Sequence, residues 1–218
     1  MLFGISLSVQ AGEVVALLGR NGMGKTTTNC QGDGYSPANR RTGALRRHAP
    51  GRISPYRIAR LGLGLVPEGG QVFPDLTVHE NLVVTASACG AAPPVWSENR
   101  VLGLFPPLRE RRQTMAALLS GGKQPMRAIS RALTTNPRML TLDEATEGPA
   151  PLVRPEIWRV PGQLKRDGME ILLVDKNIAD AARLADRHYI LEKGRVIWTR
   201  NSADLIQDQA PQTRYLGV

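Results

Sequence analysis

Cysteine, aromatic side chains and long apolar runs are all scarce in this chain. Its 218 residues include two cysteines, Cys30 and Cys89. Two cannot build a disulfide framework, so a reducing cytosolic compartment is expected. The longest apolar stretch, Leu82 to Trp96, is interrupted by Thr85, Ser87, Gly90, Pro93 and Pro94. It is too short and too broken to span a bilayer. No secretory leader is expected either: Met1-Leu2-Phe3-Gly4 has no basic region, and Glu13 interrupts the apolar start. Acidic residues are outnumbered, 19 against 28 lysines and arginines, for a net charge of +9. Arg40, Arg41, Arg46, Arg47, Arg52, Arg57 and Arg60 crowd one short stretch. Such a footprint suits nucleic acid or an anionic membrane surface. With no aromatics interleaved, a solvated surface is the ordinary reading, and no nucleic-acid partner is expected.

What is present is a loop built for phosphate. Gly19-Arg20-Asn21-Gly22-Met23-Gly24-Lys25-Thr26 fits GxxxxGK followed by Ser or Thr. Glu13 to Leu18 precede it as an apolar run suited to a buried parallel strand. The glycines let the backbone curl so that its N–H groups face phosphate oxygens. Lys25 adds a cation for the β- and γ-phosphates, and the Thr26 hydroxyl can sit on Mg²⁺. The helix expected to follow aims its positive end at the same anion. A chance glycine-rich turn is the bland alternative, and the strand directly upstream weighs against it.

Taken in order, Phe3 to Val9 alternates like a half-buried strand. After Thr28 the pattern fails, because Gly32, Gly34 and Pro37 remove roughly 4–5 kcal/mol of helix propensity. Residues 38–51 show no period. Pro55 to Arg60 reads as a short helix, Leu63 to Val66 as a strand, and 67–71 as a loop. Val78 to Ala88 is predicted helical, with Thr77 as N-cap and Glu80 in the first turn. Further helices are expected over Glu98 to Phe105 and Glu110 to Leu118, and one from Ser120 to Leu133. Arg138 to Leu142 and Ile171 to Val174 read as core strands. The helix from Pro155 to Lys165 should kink or end at Pro161-Gly162. A helix from Asn177 to Leu184, a hairpin over 188–198 and a partly helical tail complete the chain. Strands alternating with helices predict an α/β core around a parallel sheet.

Two further motifs carry chemistry. Leu140-Thr141-Leu142-Asp143-Glu144 is an apolar strand that delivers two carboxylates at its end, where α/β sheets place their ligands. Asp143 would hold Mg²⁺ and Glu144 would orient and polarise an attacking water. In Leu119-Ser120-Gly121-Gly122-Lys123-Gln124, Ser120 as N-cap and two glycines expose backbone N–H groups as a second anion site. One nucleotide does not need two cradles, so the second would serve a neighbouring subunit's ATP.

These motifs, in this order and spacing, resemble the ATPase subunits of ABC transporters. The stretches LGLGLVPEGGQVFPDLTVHENL (61–82), LFPPLRERR (104–112), RALTTNPRML (131–140), EGPAPLV (147–153), GMEILLVD (168–175) and RYLGV (214–218) resemble the ATPases of branched-chain amino-acid importers. The resemblance implies one P-loop NTPase domain over 1–218, with a RecA-like core (1–74 and 136–218), a helical subdomain (75–135) and a small antiparallel sheet. It implies a paired ATPase, homo- or heterodimeric, beneath integral-membrane permease subunits, placed peripherally at the inner face of the plasma membrane. ATP and Mg²⁺ are the implied cofactors. Nucleotide contacts carry over to Gly19, Arg20, Asn21, Gly22, Gly24, Lys25, Thr26 and Thr27, and in trans to Ser120, Gly121 and Gly122. Thr26, Asp143 and Glu68 carry over to the metal, Glu68 standing where most relatives have a glutamine. Glu144 is the implied catalytic carboxylate and Lys176 stands at the catalytic switch position. A degenerate copy that binds nucleotide or partners without turnover is the alternative. A nucleic-acid-linked ABC ATPase usually carries a second cassette or a coiled-coil insertion, and neither is here.

Departures from the family pattern are specific. Relatives have a strand and an adenine-stacking aromatic upstream of Phe3, so the chain is expected to begin inside the family pattern. Lys123 stands at a usually acidic or amide position, Pro125 enters the next helix early, and Ala145 replaces a proline. Residues 29–51 keep the family's length with unrelated content, as compensating reading-frame shifts would leave.

Overall fold

The computed structural model describes residues 7–19, 35–38, 44–47, 59–69, 73–87, 94–144, 154–175 and 178–207. A six-stranded sheet in the order β4-β5-β6-β1-β7-β8 forms the centre. Its strands are β1 (Val14–Leu18), β4 (Leu63–Val66), β5 (Met139–Asp143), β6 (Glu170–Asp175), β7 (Arg187–Glu192) and β8 (Arg195–Asn201). All neighbours pair in parallel except β7 and β8, which form an antiparallel hairpin. Its turn is Lys193-Gly194, both at positive φ (47° and 76°), as a tight two-residue hairpin turn requires. The remaining pair, β2 (Tyr35–Ala38) and β3 (Ala44–Arg47), is a separate antiparallel ribbon.

The central strands are continuous apolar runs because both faces of the sheet are covered. Val14, Ala16, Leu18, Leu140, Leu142, Ile171 and Leu173 point into one buried cluster. Val15, Leu17, Met139, Leu172 and Val174 point into the other. The first cluster is the larger and takes in the helices Val78–Val83, Glu98–Leu104, Gln124–Thr134 and Arg154–Arg166. No helix among the described residues is long and apolar enough to cross a membrane.

Several expectations are corrected. The ribbon β2–β3 occupies part of the segment in which no period was found. Pro37 sits in β2 opposite Leu45, tolerated because both strands of a two-stranded ribbon are edges. The helix Arg154–Arg166 continues through Pro161. Ile157, Val160 and Leu164 on it are fully buried, and burying three such side chains, about 1.5–3 kcal/mol each, outweighs a proline cost of about 3 kcal/mol. The helix opened by the Thr77–Glu80 capping box ends at Val83, short of Ala88. The Thr85 hydroxyl there bonds the Asn81 and Leu82 carbonyls. The expected helix over Glu110 to Leu118 is instead a short helix, Pro106–Arg109, followed by turns and a 3₁₀ segment, Ala116–Leu118. Leu7 to Gln10 form no strand, and residues 1–6 lie outside the described residues, as do 51–58 and 208–218.

Candidate nucleotide site

The carboxyl ends of β5, β6 and β1 lie side by side, the edge at which an α/β sheet binds its ligand. Asp143 is level with Val174, and Leu18 is level with Asp175. This register puts Asp143, Glu144, Asp175 and Gly19 at three adjacent strand ends. Asp143 is 3 %, Glu144 9 % and Asp175 1 % exposed. Carboxylates withdrawn from water to this degree need compensating charge or donors. Asp175 escaped sequence reading, although it obeys the rule that found Asp143: an apolar run that stops on a carboxylate.

Glu144 is held by its backbone. Its φ is 45°, uncommon for a non-glycine residue, and its N–H donates to the Val174 carbonyl at 2.9 Å. The chain therefore turns out of β5 while still tied to β6, which fixes where the carboxylate starts. Gly19 is fixed by contact: a Cβ there would lie 2.7 Å from the Leu191 carbonyl oxygen of β7. Only glycine lets the chain leave β1 at this point. Arg20, Asn21, Gly22, Gly24, Lys25, Thr26 and Thr27, and likewise Lys176, lie outside the described residues.

Glu68 is exposed in the turn that follows β4, the strand beside β5, and Gly69 completes the turn at φ 72°. No group of three or more His, Cys, Asp or Glu side chains arranged for a metal occurs among the described residues. One buried carboxylate beside a phosphate loop still fits Mg²⁺, which takes one or two carboxylates together with phosphate oxygens and water. Asp143 is such a carboxylate.

Ser120, Gly121 and Gly122 stand on a different element. Ser120 is exposed, and its carbonyl accepts the Lys123 N–H at 2.9 Å. A 3₁₀ turn, Gly121–Lys123, leads into the α-helix Gln124–Thr134. The helix N-cap is Lys123, without a side-chain bond, which corrects the expectation of Ser120 as cap. Pro125 falls in the first turn, where its missing N–H has no intrahelical partner to lose. Buried Arg127 donates from Nη1 to the Ala116 carbonyl and pins the segment before Ser120. Burial lowers the pKa of its guanidinium, which stays charged. Neither this nor the next clamp has a sequence signal. Fully buried Asn81 accepts the Phe73 N–H and donates to the Phe73, Leu76 and Thr77 carbonyls. It holds the turn between the Glu68 loop and the following helix.

A family model described as ABC transporter matches residues 2–147. The chain belongs to the ABC transporter ATPases. It is 37% identical over 99% of its length to the high-affinity branched-chain amino acid transport ATP-binding protein BraG of Pseudomonas aeruginosa PAO1, covering 93% of that protein. To the lipopolysaccharide export system ATP-binding protein LptB of Escherichia coli K12 it is 30% identical, over 98% of this chain and 89% of that one. A crystal structure of a nucleotide-free ATP-binding cassette from an ABC transporter superposes with a TM-score of 0.78 at 23% identity, covering 100% of this chain and 92% of the other. A structure of an ATP binding subunit of an ABC transporter gives 0.75 at 26% identity, over 99% and 89%. The P-loop NTPase fold of this ABC ATPase follows from those likenesses and from its mixed, mostly parallel sheet.

Proposed function

We propose that this chain is the ATP-hydrolysing subunit that powers a branched-chain amino-acid importer. The observation that carries the reading is the 37% identity to BraG along 93% of that protein, against 30% to LptB. The subunit works as one of a pair, homo- or heterodimeric, docked under integral-membrane permeases at the inner face of the plasma membrane. Residues 75–135 act as a helical subdomain on a core of 1–74 and 136–218.

The site residues take the following roles. Gly19, Arg20, Asn21, Gly22, Gly24, Lys25, Thr26 and Thr27 bind the ATP phosphates through backbone N–H groups, the Lys25 ammonium and the two hydroxyls. Thr26, Glu68 and Asp143 would hold Mg²⁺, which when bound would neutralise charge on the β- and γ-phosphates. Glu144 accepts a hydrogen bond from the attacking water and aligns it with the γ-phosphorus. The backbone tie of Glu144 to Val174 supports this role, because it limits where that carboxylate reaches. Lys176 offers an ammonium to the γ-phosphate and cannot accept a hydrogen bond from water. Ser120, Gly121 and Gly122 complete the partner subunit's site.

The test is uptake of labelled leucine by Pseudomonas aeruginosa lacking BraG. Restored uptake by the wild type and none by Glu144→Gln supports import. A specific observation, the LptB likeness, favours a second reading as an export ATPase. Rescue of LptB-depleted Escherichia coli without leucine uptake would select it.

A further inference from the structure

A cavity of about 300 Å³ lies away from the strand ends of the nucleotide site, between the helix Glu98–Leu104 and the end of the helix Arg154–Arg166. That volume is at the small end for ligand pockets, about 300–1,000 Å³. Pro94, Val95, Trp96, Pro137 and Met169 give it an apolar wall, and Arg100, Arg138 and Asp167 bring charge. Both rims are fixed. On one, the Arg100 guanidinium stacks 4.2 Å from the Trp96 ring centroid and donates to the Val95 carbonyl at 3.2 Å. Trp96 itself is buried, and its backbone N–H donates to Asn136 Oδ1 at 2.7 Å. On the other, Gly168 at φ 88° ends the helix, with Met169 N–H on the Leu164 carbonyl and Gly168 N–H on the Lys165 carbonyl. That paired closure locks Asp167 at the rim.

Asp167 Oδ2 accepts from Arg100 Nη2 at 3.3 Å, and its other oxygen has no bond among the described residues. The Arg138 guanidinium is exposed and likewise makes no hydrogen bond among the described residues, although it acts electrostatically on Glu170. A carboxylate oxygen without a hydrogen bond among the described residues, an exposed guanidinium and an apolar wall lining one small cavity complement a zwitterion with an apolar side chain. The geometry points to this cavity as a binding site for a small aliphatic α-amino acid. Arg138 holds the ligand carboxylate bidentately, Asp167 accepts from its ammonium, and its side chain lies along Trp96, Pro137 and Met169. That this ligand is the transported class, so that the imported product reports back to its own ATPase, rests on the import reading. The binding itself does not.

The experiment is calorimetric titration of the purified full chain with L-leucine, beside 4-methylpentanoate, which lacks the ammonium, and isoamylamine, which lacks the carboxylate. A ligand of about nine heavy atoms with partly solvated charges is expected to bind with Kd on the order of 1 mM. Each analogue should bind at least about fivefold more weakly, and Arg138→Gln and Asp167→Asn should each weaken leucine at least about fivefold. Both substituted residues lie at the surface, so folding is retained, and circular dichroism verifies it. No saturable binding at tens of millimolar leucine overturns the proposal. So do equal affinity for either analogue and unchanged affinity in both variants. Because the titration needs no permease, its failure leaves the import reading standing, and loss of that reading leaves the titration standing.

Discussion

His188 Nε2 lies 2.7 Å from the Ser202 hydroxyl oxygen, and that hydroxyl donates its own proton to the Ala185 carbonyl. Nε2 must therefore carry the ring proton, which leaves Nδ1 as a buried acceptor without a partner. Burial pushes the His188 pKa down from 6.5 to about 4, opposed in part by the Asp186 carboxylate. The unfolded chain then takes up a proton that the folded chain refuses. The contribution to stability is complete above about pH 6.5, falls as pH drops towards 4, and is flat below that. Its size is about 3 kcal/mol. Urea titrations from pH 7 to 4 should show this slope in the wild type, and His188→Gln, which can still donate to Ser202, should lack it. Parallel curves for the two proteins would show that another group carries the acid sensitivity.

Glu144→Gln separates binding from chemistry at the nucleotide site. The amide keeps the shape and the Val174 tie but cannot polarise water. ATP affinity should stay within about twofold while turnover falls by a factor of about 100 or more. Lys25→Ala should instead lose ATP affinity, by removal of the ammonium proposed for the β- and γ-phosphates. Fluorescent-nucleotide binding and phosphate release measure the two effects. An undiminished turnover in the glutamine variant would move the catalytic role away from Glu144.

Much of this was legible in the chain because burial writes plainly. β1, β5 and β6 are covered on both faces, so each appears as a largely apolar run, broken within β5 by Thr141 alone, and Asp143 and Glu144 were placed from the end of that one. Thr77 and Glu80 form the reciprocal cap that their spacing announces. Illegible features fall into two kinds. Pro161 and Pro125 carry strong local signals that context overrides, by a buried stripe in one case and a first-turn position in the other. Asn81 and the ribbon β2–β3 carry no local signal. A two-stranded ribbon needs no alternation, and a clamp such as Asn81 depends on contacts that only folding brings together.

Asn81 makes that last point measurable. Replacement by Ala removes four hydrogen bonds of a fully buried side chain and takes away the acceptor of the Phe73 N–H, while the Phe73, Leu76 and Thr77 carbonyls keep the N–H groups of Leu76, Ala116 and residue 81. The expected cost is about 2–4 kcal/mol. For a chain of this size that lowers Tm by roughly 5–15 °C, readable by scanning calorimetry. A shift below 2 °C would mean that water replaces the clamp.

Two glycines of this chain should respond oppositely to the same substitution. At Gly19 an added Cβ meets the Leu191 carbonyl oxygen at 2.7 Å, and that oxygen belongs to β7, the strand paired with β1. Backbone of a buried sheet cannot step aside as a side-chain tip can. The end of β1 must pull away from β7 instead, and the phosphate loop moves with it. At Gly103, within the helix Glu98–Leu104, an added Cβ meets nothing within 4 Å. Gly103→Ala should therefore gain up to about 1 kcal/mol from helix propensity and leave ATP affinity unchanged. Gly19→Ala should lose about 1–3 kcal/mol to overpacking and weaken ATP by more than its stability loss alone accounts for. Chemical denaturation and nucleotide titration on both variants check the pair. If Gly19→Ala kept wild-type ATP affinity, the first glycine of the loop would serve only the packing of β1 against β7.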